Sequence, residues 1–375
     1  MLTNWKFETS HATLTSMLLW LTSLSAVHGD DNHQYVAWTQ PQFSSGVHRG
    51  GSSFYQYHLP IPLPEFDLKE LIPSWNIMLE PGDHLDVFIR ASFDSGESHS
   101  FHLGRWASGG QSIEKEGGRT SINDQNNDLG VVYTDTLVFK KSPVRCLANL
   151  QVLKNGSDNW SESLDFFGVC LSGERSLDMP IQANQPIEQI MLDVPRLCQR
   201  DYIGGGVWCS PTSVAMILNY WSLKLSRPEL RYTVPEAASF TYDPGWSGTG
   251  NWAFNIAFAG EHSGIRAFVT RMNHLDELKS LLKNGLPIAT SVSYDLLKGK
   301  PTKGSNDGHL VVVIGFNQNG DPVVNDPAAC PDVTVTYPLD HFTKAWQSSR
   351  QTVYVIYPSE RVLPAELQIQ WPKTR

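Results

Sequence analysis

The hydrophobic period changes once along the chain, near residue 190, and that change sets the fold class. From Tyr35 to about Ser172, apolar residues alternate in short runs such as HLDVFIRASF (His84 to Phe93), GVVYTDTLVF (Gly130 to Phe139) and RCLANLQVL (Arg145 to Leu153). The turn-rich stretches PGD (Pro81 to Asp83), SGGQS (Ser108 to Ser112) and NDQNNDLG (Asn123 to Gly130) separate them. Such spacing predicts an all-β, sandwich-like domain. Further on, Val214, Ile217, Leu218 and Trp221 recur at i, i+3, i+4 and i+7, which predicts an amphipathic helix starting near Pro211. A second helix is expected from about His274 to Asn284, with Asn273 and Asp276 as a capping pair and Gly285 as the stop. β-branched runs follow at Leu286 to Tyr294, His309 to Phe316 and Pro322 to Pro327, the last two joined by the hairpin signal NQNG. A short helix near Asp340 to Gln347 and a strand over Thr352 to Tyr357 complete the pattern. A helix followed by an antiparallel sheet, behind a β domain, makes the fold class α+β.

A length of 375 residues fits about two domains. The expected division is a signal peptide over 1–29, an all-β accessory domain over 30–172, a linker over 173–190, a helix-and-sheet domain over 191–360 and a tail over 361–375. Lys6 precedes an apolar run from Leu14 to Val27, and small residues then lead to Asp30. That order reads as an export signal with cleavage expected after Gly29. The run is shorter than the roughly 20 residues a membrane-spanning helix needs, and no later segment reaches that length. The mature protein is therefore expected to be secreted, periplasmic or held at the cell surface. Asn155 and Asn159 open N-glycosylation sequons, which count only where the source glycosylates asparagine. Lys+Arg 29 against Asp+Glu 38, a net charge of −9 without a basic cluster, argues against a nucleic-acid partner. Nothing in the sequence sets an oligomeric state.

The cysteines are Cys146, Cys170, Cys198, Cys209 and Cys330, an odd number that leaves at least one thiol unpaired in a monomer. Cys146 and Cys170 fall on late strands of the β domain, where a bridge between them is a candidate. Cys209 stands just before the first helix, where unpaired N–H groups and the positive end of the helix dipole favour a thiolate. The glycines Gly204 to Gly206 before it allow close approach of other backbone. The bland alternative is a buried or bridged structural cysteine. A thiol nucleophile needs a base and the base an orienting partner. His309 opens one strand and Asp326 ends the next across a hairpin, so the carboxylate can reach the imidazole. Taken alone, His309 reads as an ordinary strand-end histidine. Gln199, ten positions before Cys209, supplies an amide that with the Cys209 N–H can donate to an oxyanion.

The run VPRLCQ, then GGGVWCSPTSVAMILNYW, then GHLVVVIGF and VVNDPAA resembles family thirty-nine of the papain-like cysteine peptidases, which includes the double-glycine leader peptidases of bacteriocin exporters. The similarity covers about Met191 to Pro358 and is nearest to secreted, stand-alone bacterial members. It implies a papain-like domain in which Cys209, His309 and Asp326 are catalytic and Gln199 is the oxyanion donor, with no metal and no cofactor. It also implies a peptide or protein substrate, and a groove that includes Trp208, Gly250, Asn251 and Trp252 from the similar stretch GTGNWAFNIAFA. There are departures. The exporters' membrane and ATPase segments have no counterpart, as the sequence holds no GxxxxGK, so leader processing is not carried over. Ser210 stands where many members have glycine. Cys198 and Cys330 are less usual, and a bridge between them would staple the two halves of the site.

Three rivals are open at this level. A metal site through His99 and His102 is disfavoured, because residues three apart on a strand face opposite sides and no CxxC pair exists. An amidase or transglutaminase-like acyltransferase would share the same residues and differ in its acceptor. A non-catalytic surface protein would bind a glycan or cell-surface ligand through Trp38, Tyr55, Tyr57, Trp75 and Trp106 of the β domain, although aromatic residues in sandwiches are more often core.

Overall fold

A computed structural model describes residues 32–40, 45–49, 52–109, 118–155, 164–174, 189–302, 304 and 307–372. The expected signal peptide, most of the linker, the Asn159 sequon, the end of the SGGQS turn and residues 373–375 lie outside the described residues.

Among the described residues the strands form three sheets. The six-stranded sheet runs Ile369–Gln370, His33–Thr39, Leu164–Ser172, Glu70–Ile77, Thr136–Phe139, Gly130–Tyr133. A five-stranded sheet runs Ser45–Arg49, Ser52–Ile61, Arg145–Asn155, His84–Ser92, Ser98–Trp106. The seven-stranded sheet runs Ile265–Arg271, Thr352–Pro358, Ile288–Ser293, Gly308–Phe316, Pro322–Asn325, Thr334–Thr336, with Ile190–Met191 added to Gly308–Phe316. Six α-helices accompany this last sheet: α1 (Cys209–Leu225), α2 (Val234–Thr241), α3 (Trp252–Gly260), α4 (Leu275–Lys283), α5 (Tyr294–Leu297) and α6 (Leu339–Ser348). The result is a mixed helix and sheet fold behind an N-terminal β-rich region.

Helix α1 departs from the amphipathic expectation. Every residue from Ser210 to Ser222 is buried, so the helix is a central rod with no solvent face over that span. Its polar residues are satisfied inside. Asn219 donates to Tyr232 O at 3.0 Å and accepts from Tyr232 N at 2.8 Å, and Ser210 Oγ lies 2.8 Å from Tyr354 Oη. Such pairing is what burial of these groups demands. The cap of α4 is His274 with Glu277, not Asn273 with Asp276: Glu277 Oε1 accepts from the N–H groups of both Asn273 and His274. Gly285, at φ +75, ends that helix as the left-handed conformation requires. The run Gly130 to Phe139 is a hairpin instead of one strand, because Thr134 turns at φ 56.

The β-rich region and the helical segment share packing. Asn76 donates to Ala267 O at 2.8 Å and accepts from Ala267 N at 2.9 Å, and Val269 N donates to Ser74 Oγ at 3.0 Å. Glu70 bridges Arg271 at 2.6 Å and Arg350 at 2.7 Å. The expected tail also returns: Ile369–Gln370 pairs in parallel with His33–Thr39, and Leu367 is buried.

One expectation fails here, and one rival loses the residues it named. Cys146 and Cys170 are free buried thiols on strands of different sheets. The aromatic residues Trp38, Tyr55, Tyr57, Trp75 and Trp106 are all buried core, so none offers a face to a sugar.

Candidate active site

Cys209 is the first residue of α1, and α1 packs along the strand that begins at Gly308. That packing places the thiol beside His309 on the neighbouring strand. His309 is 5% exposed, and its Nε2 lies 2.7 Å from Oδ1 of the fully buried Asp326. With Nε2 so engaged, Nδ1 is the nitrogen left to face the Cys209 thiol, and the two groups interact electrostatically. The hairpin register pairs Val312 with Asn325, with a bulge between Val313 and Gly315, which leaves Asp326 one residue past the ladder and free to turn under the imidazole.

Electrostatics follow this geometry. Burial alone would raise the Cys209 thiol, but the hydrogen bond and charge of His309, with the N–H groups of Leu310 and Ser210, hold it below its ordinary value. Burial would likewise lower His309, yet Asp326 and Cys209 raise it to about 9. Burial would raise Asp326, and His309, the Ala328 N–H and the Tyr337 hydroxyl outweigh it, so the carboxyl sits below the usual range. All three shifts favour the charged forms, a thiolate, an imidazolium and a carboxylate.

Gln199 is buried in a turn whose N–H donates to Pro327 O at 3.0 Å, so it hangs from the loop that follows Asp326. Its Nε2 donates to Gly205 O at 2.8 Å, and its Oε1 has no partner. Gly205 must lack a side chain, since a Cβ there would collide with the Gln199 carbonyl. Cys198 and Cys330 form a disulfide with Cα atoms 5.9 Å apart, which ties the Gln199 turn to the Asp326 loop. Ser210 holds Tyr354, so the departure from glycine serves packing.

Of the expected groove residues, Trp208 and Trp252 are partly exposed, as is Gly250. Asn251 is not on a surface. It is fully buried, caps α3 by accepting from Phe254 N at 3.1 Å, and donates to Asp243 at 2.8 Å. The stretch GTGNWAFNIAFA is mostly this buried helix. Sequence reasoning missed two neighbours of the site. Tyr337 donates to Asp326 Oδ2 at 2.8 Å, for which no sequence signal exists. The Tyr294 ring lies 4.2 Å from the His309 ring, and the register pairing Val292 with His309 would have placed it there. His99 and His102 do not meet at a metal. His102 lies 2.9 Å from Asp86, His99 packs on Phe101, and no metal-binding group occurs among the described residues.

The model of the Peptidase_C39 like family matches residues 191–354, the segment that carries all four of these positions. That segment belongs to the C39-like peptidase family. Residues 26–172 match a second model, the Peptidase C39 N-terminal domain, which spans the β-rich region. No curated protein matches the chain. Among solved structures, it is similar to a Bacillus anthracis protein assigned as a C39-like peptidase, at 19% identity and a TM-score of 0.34, over 46% of this chain and 100% of that one. A structure of infectious bursal disease virus, Gx strain, is similar at 11% identity and a TM-score of 0.18, over 38% and 33% of the two chains. The family match supports a cysteine peptidase as a family-level assignment.

Proposed function

We propose that this C39-like chain hydrolyses a peptide or amide bond with Cys209 as nucleophile, His309 as acid and base, Asp326 as orienting carboxylate and Gln199 as oxyanion donor. One observation carries the reading: the series in which His309 bonds the buried Asp326 and faces Cys209, every member shifted toward its charged form. The Cys209 sulfur attacks the carbonyl carbon and the C–S bond forms. The His309 proton passes to the leaving nitrogen as the C–N bond breaks. Water then attacks the thioester, gives its proton back to His309, and releases the thiolate. The second hydrogen of Gln199 Nε2 and the N–H of Cys209 would take the oxyanion.

A papain-like arrangement is part of this reading, supported by a thiol that starts the central helix and a histidine on the adjoining strand. So is a sandwich-like packing of the β-rich region, supported by the buried aromatic residues on both of its sheets. Export is proposed as well, and the Cys198–Cys330 disulfide suits an oxidising compartment.

The test is limiting iodoacetamide near neutral pH with peptide mapping, then turnover of a quenched peptide mixture with and without added hydroxylamine. Fast labelling at Cys209, slowed in His309→Ala, together with free carboxyl products, upholds a hydrolase. Hydroxamate as the main product makes it an acyltransferase, and an inert Cys209 in folded protein removes the enzyme reading.

A further inference from the structure

Side chains and backbone of the β-rich region end on the last turn of α2 and on the loop that leads into α3. Arg119 donates to Tyr242 O at 2.9 Å and to Ser239 O at 3.0 Å. Ser121 N donates to Asp243 Oδ1 at 2.9 Å, and Asn123 Nδ2 donates to Gly245 O at 2.9 Å. Asp135, in the tight turn of the Gly130 to Phe139 hairpin, accepts the N–H of Trp252 on Oδ2 and the hydroxyl of Thr136 on Oδ1. Trp252 is the first residue of α3, so that N–H has no acceptor within the helix, and a carboxylate there also suits the helix dipole.

The other side of the loop touches the segment that leads into Cys209. Thr249 Oγ1 donates at 3.3 Å to the carbonyl of Val207, two residues before Cys209. Trp246 lies over Gly248 and Gly250, where any side chain would collide with its ring. Trp246 and Val207 are exposed by 49% and 72%, which leaves an apolar rim near the nucleophile.

We propose that the β-rich region builds one wall of the peptidase groove, with Asp135 as a positioning residue that sets loop 243–252 beside Cys209. The inference rests on the peptidase reading above. It gives the β-rich region a role inside the enzyme, and it makes the groove selective for a substrate with an apolar side chain over Trp246 and Val207.

The test uses the full chain and two thiol reagents, iodoacetamide and an N-acylated Leu-Phe-Gly chloromethyl ketone. The first reads the thiolate alone, and the second also reads the groove. In Asp135→Ala the ratio of ketone to iodoacetamide rates should fall about tenfold, through a higher half-saturating concentration, as expected for a buried N–H left unpaired. Asp135→Asn should restore the ratio, because its oxygen can accept from Trp252 while its amide donates to Thr136. A ratio unchanged in Asp135→Ala, or one that Asp135→Asn fails to restore in a protein of wild-type melting temperature, overturns the proposal. Hydrogen exchange supplies a readout free of the thiol: faster exchange in Asp135→Ala confined to 243–252 upholds the wall, and unchanged exchange there overturns it. If wild-type Cys209 reacts with neither reagent, the peptidase reading fails, and the exchange result then decides whether Asp135 holds the loop.

Discussion

The hydroxyl of Tyr337 donates to Oδ2 of Asp326 at 2.8 Å, and His309 takes the other carboxylate oxygen, so one buried carboxylate is shared between a neutral donor and an imidazolium. Burial and the adjacent carboxylate push the Tyr337 hydroxyl well up, so it stays a donor throughout the working range. Removing it in Tyr337→Phe should lower kcat/KM about fivefold, the effect of one net hydrogen bond, and move the acid limb of the pH profile upward as Asp326 becomes easier to protonate. Asp326→Asn keeps the shape and loses the charge, and kcat should fall by roughly 10³ to 10⁴ through misplacement of the imidazole proton. Steady-state kinetics across pH separates the two effects.

Cys209 should react with iodoacetamide at pH 6 far faster than an ordinary thiol, of which on the order of 1% or less is ionised there. The reactive plateau should end as pH passes about 9, where His309 loses its proton. The same shift bears on stability. A histidine raised from 6.5 to about 9 on folding contributes fully below 6.5, and that contribution is lost as pH rises through about 9. Comparing urea midpoints of wild type and His309→Ala at pH 6 and pH 10 checks it: the difference should shrink at the higher pH.

The Cys198–Cys330 bridge closes a separation of 132 residues beside two site residues. Replacing both by serine should cost about 2–4 kcal/mol in stability by chemical denaturation. It should also lower kcat, since Gln199 and the Asp326 loop lose their common anchor. A double variant with unchanged turnover would show that the Gln199 N–H to Pro327 bond suffices alone.

Glu70 binds Arg271 and Arg350 across the junction of the β-rich region with the seven-stranded sheet. Burial would raise its carboxyl, but the two guanidinium groups hold it below the usual value of 4.5. Its contribution to stability should therefore be complete above about pH 4.5 and be lost as pH falls through the lowered value. Glu70→Gln leaves two buried cations short of a partner and should cost about 3 kcal/mol at pH 7 by urea denaturation.

Much of the candidate site's layout was legible in the sequence. Cys209 ahead of a helix, His309 at a strand entrance and Asp326 across a hairpin are local patterns, and each carries its own chemistry. Asn251 misled because a buried cap and a groove residue look alike in a string. The Cys146 to Cys170 bridge misled because strand assignment says nothing about how far apart two side chains end up. Tyr337 and Asp135 were invisible, since each reaches its partner across more than ten residues of chain or from another region altogether.

By itself the sequence determined the change from a β-rich to a mixed segment, the strands that flank the candidate site and the order Gln199, Cys209, His309, Asp326, because periodicity and turn chemistry act over a few residues. Tertiary structure decided that α1 is buried on all sides, that Cys198 finds Cys330 while Cys146 and Cys170 stay apart, and that Asp135 ends on Trp252. Those outcomes depend on which surfaces exclude water from one another, and that is a property of the packed chain as a whole.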